Sequence, residues 1–169
     1  NGLKVIGLET EYKTSIKIEN YDNPIGIIGY FDRIDLMGST HSIIDYKTGN
    51  VDDNQFKVDP EIIDVEDIFS KTSKKEVFQT MVYAILFLHN NPNANININI
   101  YSMRNLNQAL VLNKNETTSI NSQSPAIATF EEKLKNMINE IFDKNILFCQ
   151  TNNTDNCLFC DFKDICKKS

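Results

Sequence analysis

The chain has 169 residues, of which 41% are hydrophobic and 24% charged, and a formal net charge of −6. That length suits one domain with a real core, and the composition is ordinary for a globular protein. The acid excess argues against free-standing, non-specific nucleic-acid binding, which needs many phosphate-neutralising Lys and Arg. No apolar run approaches the ~20 residues that span a bilayer and no signal-peptide pattern opens the chain, so no membrane role and a cytoplasmic setting are expected.

Residues 3–19 alternate polar and apolar side chains as one long or two short strands should. The abrupt opening at Asn1, straight into a strand, leads to the expectation that this single domain (1–169) is a C-terminal piece of a longer protein. Tyr21-Asp22-Asn23-Pro24 is turn chemistry. Residues 29–35 and 42–47 read as two more strands joined by a polar turn at Gly38-Ser39-Thr40, which places His41 at the turn. Residues 50–60 are polar and end in Pro60, which fits the first turn of a short helix over residues 61–69. Thr72 or Ser73 is expected to cap a longer helix, with Glu76 at capping-box distance from Ser73. That helix carries Val77, Met81, Ala84, Ile85 and Leu88 on one face. Residues 94–103 alternate Asn and Ile as a strand, and 109–113 read as another. Ser124-Pro125 precedes a helix running to about residue 147, striped by Phe130, Leu134, Met137, Ile138, Ile141 and Phe142. Residues 148–169 form a cysteine-rich tail.

The chemistry concentrates in residues 29–49. Side chains alternate along a strand, so Asp45 and Lys47 share a face while Tyr46 takes the other. Hairpin pairing brings Asp32 beside Asp45. Two carboxylates and an ammonium on one face are poor for stability but suited to a divalent cation and a phosphate. The alternative is a surface hairpin with solvated charges, the usual meaning of an isolated D-x-K. Gln79 and Tyr83, four residues apart, share a helical face. They read either as neighbours of that site or as an exposed amide beside a core tyrosine.

All four cysteines, at 149, 157, 160 and 166, fall near the C-terminus. Such clustering in a chain expected to be cytosolic favours a metal site over disulfides. Read alone, the four allow a closed tetrathiolate zinc site.

The pattern Gly29-x-x-Asp32-Arg33-Ile34-Asp35 followed by Asp45-Tyr46-Lys47-Thr48-Gly49 resembles the PD-(D/E)XK nuclease superfamily. The RecB/AddB-like branch, whose nuclease domains work with DNA helicases, also carries a Q-x-x-x-Y, as in Gln79-Thr80-Met81-Val82-Tyr83. It further carries a C-terminal cysteine spacing matched by Cys157, Cys160 and Cys166. The resemblance implies a restriction-endonuclease-like α/β core, with a central mixed sheet of four to five strands flanked by helices. It implies Mg²⁺- or Mn²⁺-dependent hydrolysis of DNA, as an exonuclease in repair and recombination, with a helicase domain or subunit as partner. Asp32 and Asp45 would bind the metal with the Tyr46 carbonyl, Lys47 would orient the attacking water, and Gln79 and Tyr83 would position Lys47 or the phosphate. Arg33 and Asp35 would brace the sheet by charge pairing. In the branch's iron–sulfur members the three cysteines join an upstream fourth around a [4Fe–4S] cluster. No cysteine precedes Cys149, so the fourth ligand is expected from a part of the protein outside this chain, with the cluster absent from this piece and Cys149 a small buried hydrophobe; the alternative is that Cys149 substitutes for it.

That branch also draws a His or carboxylate from an upstream helix. Neither His41 nor His89 is expected there, and Glu9, on the first strand, reads as either a site residue or a solvated one, so this piece alone is expected to lack part of its active site and to be weakly active or inactive. The rival functions are an inactive nuclease-fold scaffold or DNA-binding module, and a zinc-stabilised interaction domain.

Overall fold

The computed structural model describes residues 2–19, 21–49, 63–104, 109–111, 120–158 and 160–166. Five strands form one sheet in the order β1-β2-β3-β4-β5. They are β1 (Lys4–Ile16), β2 (Ile25–Met37), β3 (Thr40–Lys47), β4 (Asn95–Ser102) and β5 (Ala109–Val111). The first three form an antiparallel meander, β3 and β4 run parallel, and β5 returns antiparallel to β4. A parallel neighbour needs a crossover, and α1 (Val65–Ser70) and α2 (Lys75–Asn90) lie on it; α3 (Pro125–Phe142) follows β5 and α4 (Lys163–Cys166) lies in the tail.

The core lies between the sheet and the helices. Ile96, Ile98 and Ile100 are buried while the asparagines between them are not, the strand alternation that the sequence predicts. From α2 come Val77, Met81, Ala84, Ile85 and Leu88, and from α3 Ala126, Ile127, Phe130, Leu134 and Ile138, all in one cluster with the sheet's inner face. Met37 pairs with Thr40, so the β2–β3 turn is the dipeptide Gly38-Ser39, and Gly38 takes the left-handed φ of 63° that a tight hairpin needs. His41 therefore belongs to β3 rather than the turn, and its ring lies 5.1 Å from that of Phe87 on α2.

Several predicted boundaries shift. Helix α1 begins at Val65, where Asp64 accepts from the Asp67 N–H as its cap; positions 60–62 fall outside the described residues. The capping box at Ser73 and Glu76 does not form. Thr72–Lys74 make a 3-10 turn, and α2 starts at Lys75 with no side-chain cap. Helix α3 stops at Phe142 rather than near residue 147, because Asp143 adopts an extended backbone and the chain turns away. Strand β5 is described only to Val111; positions 112–113 lie outside the described residues.

One irregularity positions the site. Phe31 faces α2, with its ring 4.7 Å from Tyr83. Ile34 also faces inward, opposite the fully buried Ile43. Three residues separate them, whereas regular alternation puts odd-spaced residues on opposite faces. On β1 their partners Thr10 and Gly7 are likewise three apart. Glu9, between them, holds a φ of 47°. The two strands thus change phase together, and Asp32 sits at the change.

Candidate active site

Paired residues of β2 and β3 run from Met37–Thr40 to Arg33–Ile44 and stop there. At the next step the Asp32 carboxylate takes over, accepting the Tyr46 N–H at 2.7 Å. A side chain thus ends the ladder, held where the strands diverge and near enough to Asp45 for their charges to act on each other.

Asp45 is 4% exposed. Burial pushes its carboxyl above the ordinary aspartate range; Lys47 opposes that shift, while Asp32 and Glu76 reinforce it. Lys47 Nζ lies 2.8 Å from Asp45 Oδ2 as an ion pair. The approach is not aligned as a hydrogen bond, so Oδ2 stays buried without a hydrogen-bond partner. Lys47 Nζ donates to Gln79 Oε1 at 2.7 Å, and Gln79 Nε2 donates to Tyr83 Oη at 2.8 Å and, more weakly, to Asp45 Oδ1 at 3.4 Å. Hard divalent cations take oxygen ligands, and this donor set fits one: two carboxylates, one of them with a buried oxygen that receives no aligned hydrogen bond. Tyr83 is held from behind. A Cβ on Gly29 would stand 2.7 Å from Leu86 Cδ1 and 3.2 Å from Tyr83 Cε1, so only glycine lets α2 come this close to β2.

Asp32, Asp45, Lys47, Gln79 and Tyr83 are therefore brought together. Tyr46 contributes its N–H to Asp32, while its side chain lies on the outer face, reaching Arg33 and resting 6.0 Å from the ring of Tyr101. Arg33 and Asp35 form a two-pronged ion pair at 2.8 and 2.9 Å on that face, remote in role from the inner cluster. His89 is bound at the far end of α2 to Thr14 and Glu131. It is ten residues from Gln79, about 15 Å along the helix axis. Glu9 is exposed at the phase change in β1. Glu76 is the acidic neighbour that sequence reasoning missed. Its spacing from Ser73 suggested a cap, whereas its spacing from Gln79 puts it on the site's side of the helix.

The four cysteines lie apart from the inner cluster. Cys149 is exposed rather than buried, donating weakly to the Leu147 carbonyl. Cys157, Cys160 and Cys166 are half-buried free thiols on short turns. Among the described residues, no three His, Cys, Asp or Glu side chains converge closely enough to hold an ion directly. Neither a tetrathiolate zinc site nor a cluster cradle is formed. Also among the described residues, no helix is long and apolar enough to cross a membrane.

A mixed sheet flanked by helices, with its carboxylates and lysine at the end of the central hairpin, is the restriction-endonuclease-like α/β architecture. The chain belongs to the PD-(D/E)XK nuclease superfamily, whose family model matches residues 2–167. Members usually use divalent metals. No curated protein matches the sequence significantly. Among solved structures, the crystal structure of SSO0001 is similar with 16% identity and a TM-score of 0.45, over 96% of this chain and 60% of that one. The chain thus spans 60% of that protein's length.

Proposed function

We propose that this domain is a Mg²⁺- or Mn²⁺-dependent deoxyribonuclease of the RecB/AddB-like type. It acts as an exonuclease beside a helicase domain or subunit in cytoplasmic DNA repair. The observation that carries the metal-dependent reading is Asp45: a buried carboxylate with an unbonded oxygen, flanked by Asp32 and ion-paired to Lys47. Two neighbouring carboxylates, one of them buried, beside a single ammonium cost stability, which makes sense where a cation and a phosphate are to be bound.

Asp32 and Asp45 would hold the cation, with the Tyr46 carbonyl as a further oxygen. When bound, such a cation neutralises phosphate charge and makes a nearby water more acidic. The protein's own groups do the rest. Asp32 is fixed by the Tyr46 N–H and Lys47 by Gln79 and Asp45, so neither needs to reorganise as charge develops. The Lys47 ammonium orients the attacking water and balances charge growing on the phosphate oxygens. Gln79 donates to Tyr83 through its amide nitrogen, which turns its oxygen toward Lys47. The same reading assigns Cys157, Cys160 and Cys166 to a [4Fe–4S] cluster, a role their present placement does not prepare.

The experiment measures Mg²⁺-dependent degradation of linear and circular DNA by wild type, Asp45→Ala and Lys47→Ala. Loss of about a hundredfold or more in both variants, with unchanged folding, is expected, since several kcal/mol of barrier lowering is removed. Degradation confined to linear DNA supports an exonuclease. Undiminished activity in either variant defeats the assignment. Iron and sulfide analysis of wild type and Cys160→Ser decides the cluster.

A further inference from the structure

Arg33 and Arg104 are the chain's two arginines. Arg33 is committed on the outer face, where its Nε and Nη2 both donate to Asp35. Arg104 is exposed just past the end of β4, and among the described residues its side chain forms no ion pair. Its place is set by hydrogen bonds of the backbone around it. Strands β3 and β4 run parallel with Lys47 opposite Ser102, and beyond that pair the Met103 N–H donates to the Lys47 carbonyl at 2.7 Å. Ser102 is buried; its hydroxyl donates to the Gly49 carbonyl at 2.9 Å and accepts the Arg104 N–H at 3.3 Å. Arg104 is thus tied to the segment that carries Lys47, at most about 7 Å of chain beyond Lys47's partner. Both parallel strands end at this rim, and open α/β sheets bind ligands outside the carboxyl ends of their strands.

We infer that Arg104 is a substrate-binding residue, whose guanidinium grips a backbone phosphate of the DNA strand next to the one held at Lys47. This deepens, and rests on, the deoxyribonuclease reading above. The chain carries a net charge of −6, and the site itself sets Asp32 and Asp45 against one lysine. A polyanion therefore needs a further cation close by to seat it there. Lys47 does not fill both roles, since Asp45 and Gln79 already hold it. An arginine at the rim suits the task, because its planar fork meets two phosphate oxygens at once, whereas an ammonium acts as a point charge. With no carboxylate partner at Arg104 among the described residues, no ion pair there has to break before a phosphate binds.

The test measures binding of a fluorescent single-stranded oligodeoxynucleotide in EDTA, by anisotropy at several salt concentrations, with melting curves of each protein. Wild type is compared with Arg104→Ala, Arg104→Lys and Lys13→Ala. Lys13 is the control, because its carbonyl is bound by Asn90 at the far end of α2. Arg104→Ala should weaken binding about tenfold, lower the slope of log K against log[salt] by about one, and melt as wild type does. Arg104→Lys should restore the slope but only part of the affinity. Lys13→Ala should match wild type. Wild-type affinity and slope in Arg104→Ala overturn the inference and leave the nuclease reading standing. Equal losses in Arg104→Ala and Lys13→Ala do the same, since they report net charge alone. A lowered melting temperature in Arg104→Ala with no recovery in Arg104→Lys marks Arg104 as structural and also overturns the inference. A wild type that binds no DNA at any salt concentration overturns the DNA-directed reading itself.

Discussion

Lys47 Nζ donates to Gln79 Oε1 at 2.7 Å, joining the end of β3 to α2 across 32 residues of chain. The bond has a consequence for both partners. Lys47 is held against a buried carboxylate instead of extending into water, and Gln79 is committed in one orientation because its nitrogen serves Tyr83.

Gln79→Ala should therefore lower the rate of DNA hydrolysis about 10- to 100-fold, as the lysine loses its fixed position. The fold should persist, since a half-buried side chain at one end of α2 contributes little apolar packing. Tyr83→Phe is the milder companion. It keeps the ring against Phe31 and removes only the hydroxyl that holds Gln79. Single-turnover rates and melting temperatures separate the two effects. An unchanged single-turnover rate in Gln79→Ala would remove the amide from the mechanism.

Gly29→Ala should damage the site from behind. The added methyl meets Leu86 and Tyr83, and Leu86 is fully buried in the core. Overpacking of this kind costs about 1–3 kcal/mol, and α2 can relieve it only by moving off the sheet, taking Gln79 with it. Denaturant unfolding and nuclease rate should fall together. Wild-type stability in this variant would show that α2 is not pinned by the contact.

Asp45 links stability to pH. Burial holds its carboxyl above the usual range in the folded protein, so folding favours the protonated acid. That contribution is complete below the unfolded-state value of about 3.9 and is lost as pH rises through the raised folded value. Metal-free Asp45→Asn lacks this loss. It should melt a few degrees above wild type at neutral pH, and the gap should close toward about pH 4. Differential scanning calorimetry at both pH values measures it; a gap that does not depend on pH would show that Asp45 is not the group responsible.

The sequence by itself determined the strands, the principal helices and the identity of the clustered groups. Period-2 alternation marked β4 and the hairpin, 3.6-residue periodicity marked α2 and α3, and the spacing of Asp45, Lys47, Gln79 and Tyr83 already put each pair on one face. These are local properties, set by backbone geometry within a few residues. The tertiary structure alone decided what depends on two elements meeting. The phase change at Glu9 and Asp32 arises from β1 and β2 adjusting together, and neither strand's pattern announces it. Glu76 reads as a capping residue until α2 is docked, because its spacing from Ser73 fits a capping box; only the approach of α2 to β3 makes its spacing from Gln79 the one that matters. The helix ends shifted for a related reason, since a terminus forms where the chain finds partners for its last backbone groups and not where apolar periodicity fades. In the tail the cysteine spacing was plain, but spacing does not make thiols converge. That requires packing around them, and Leu147, Phe148, Phe162 and Ile165 remain exposed there.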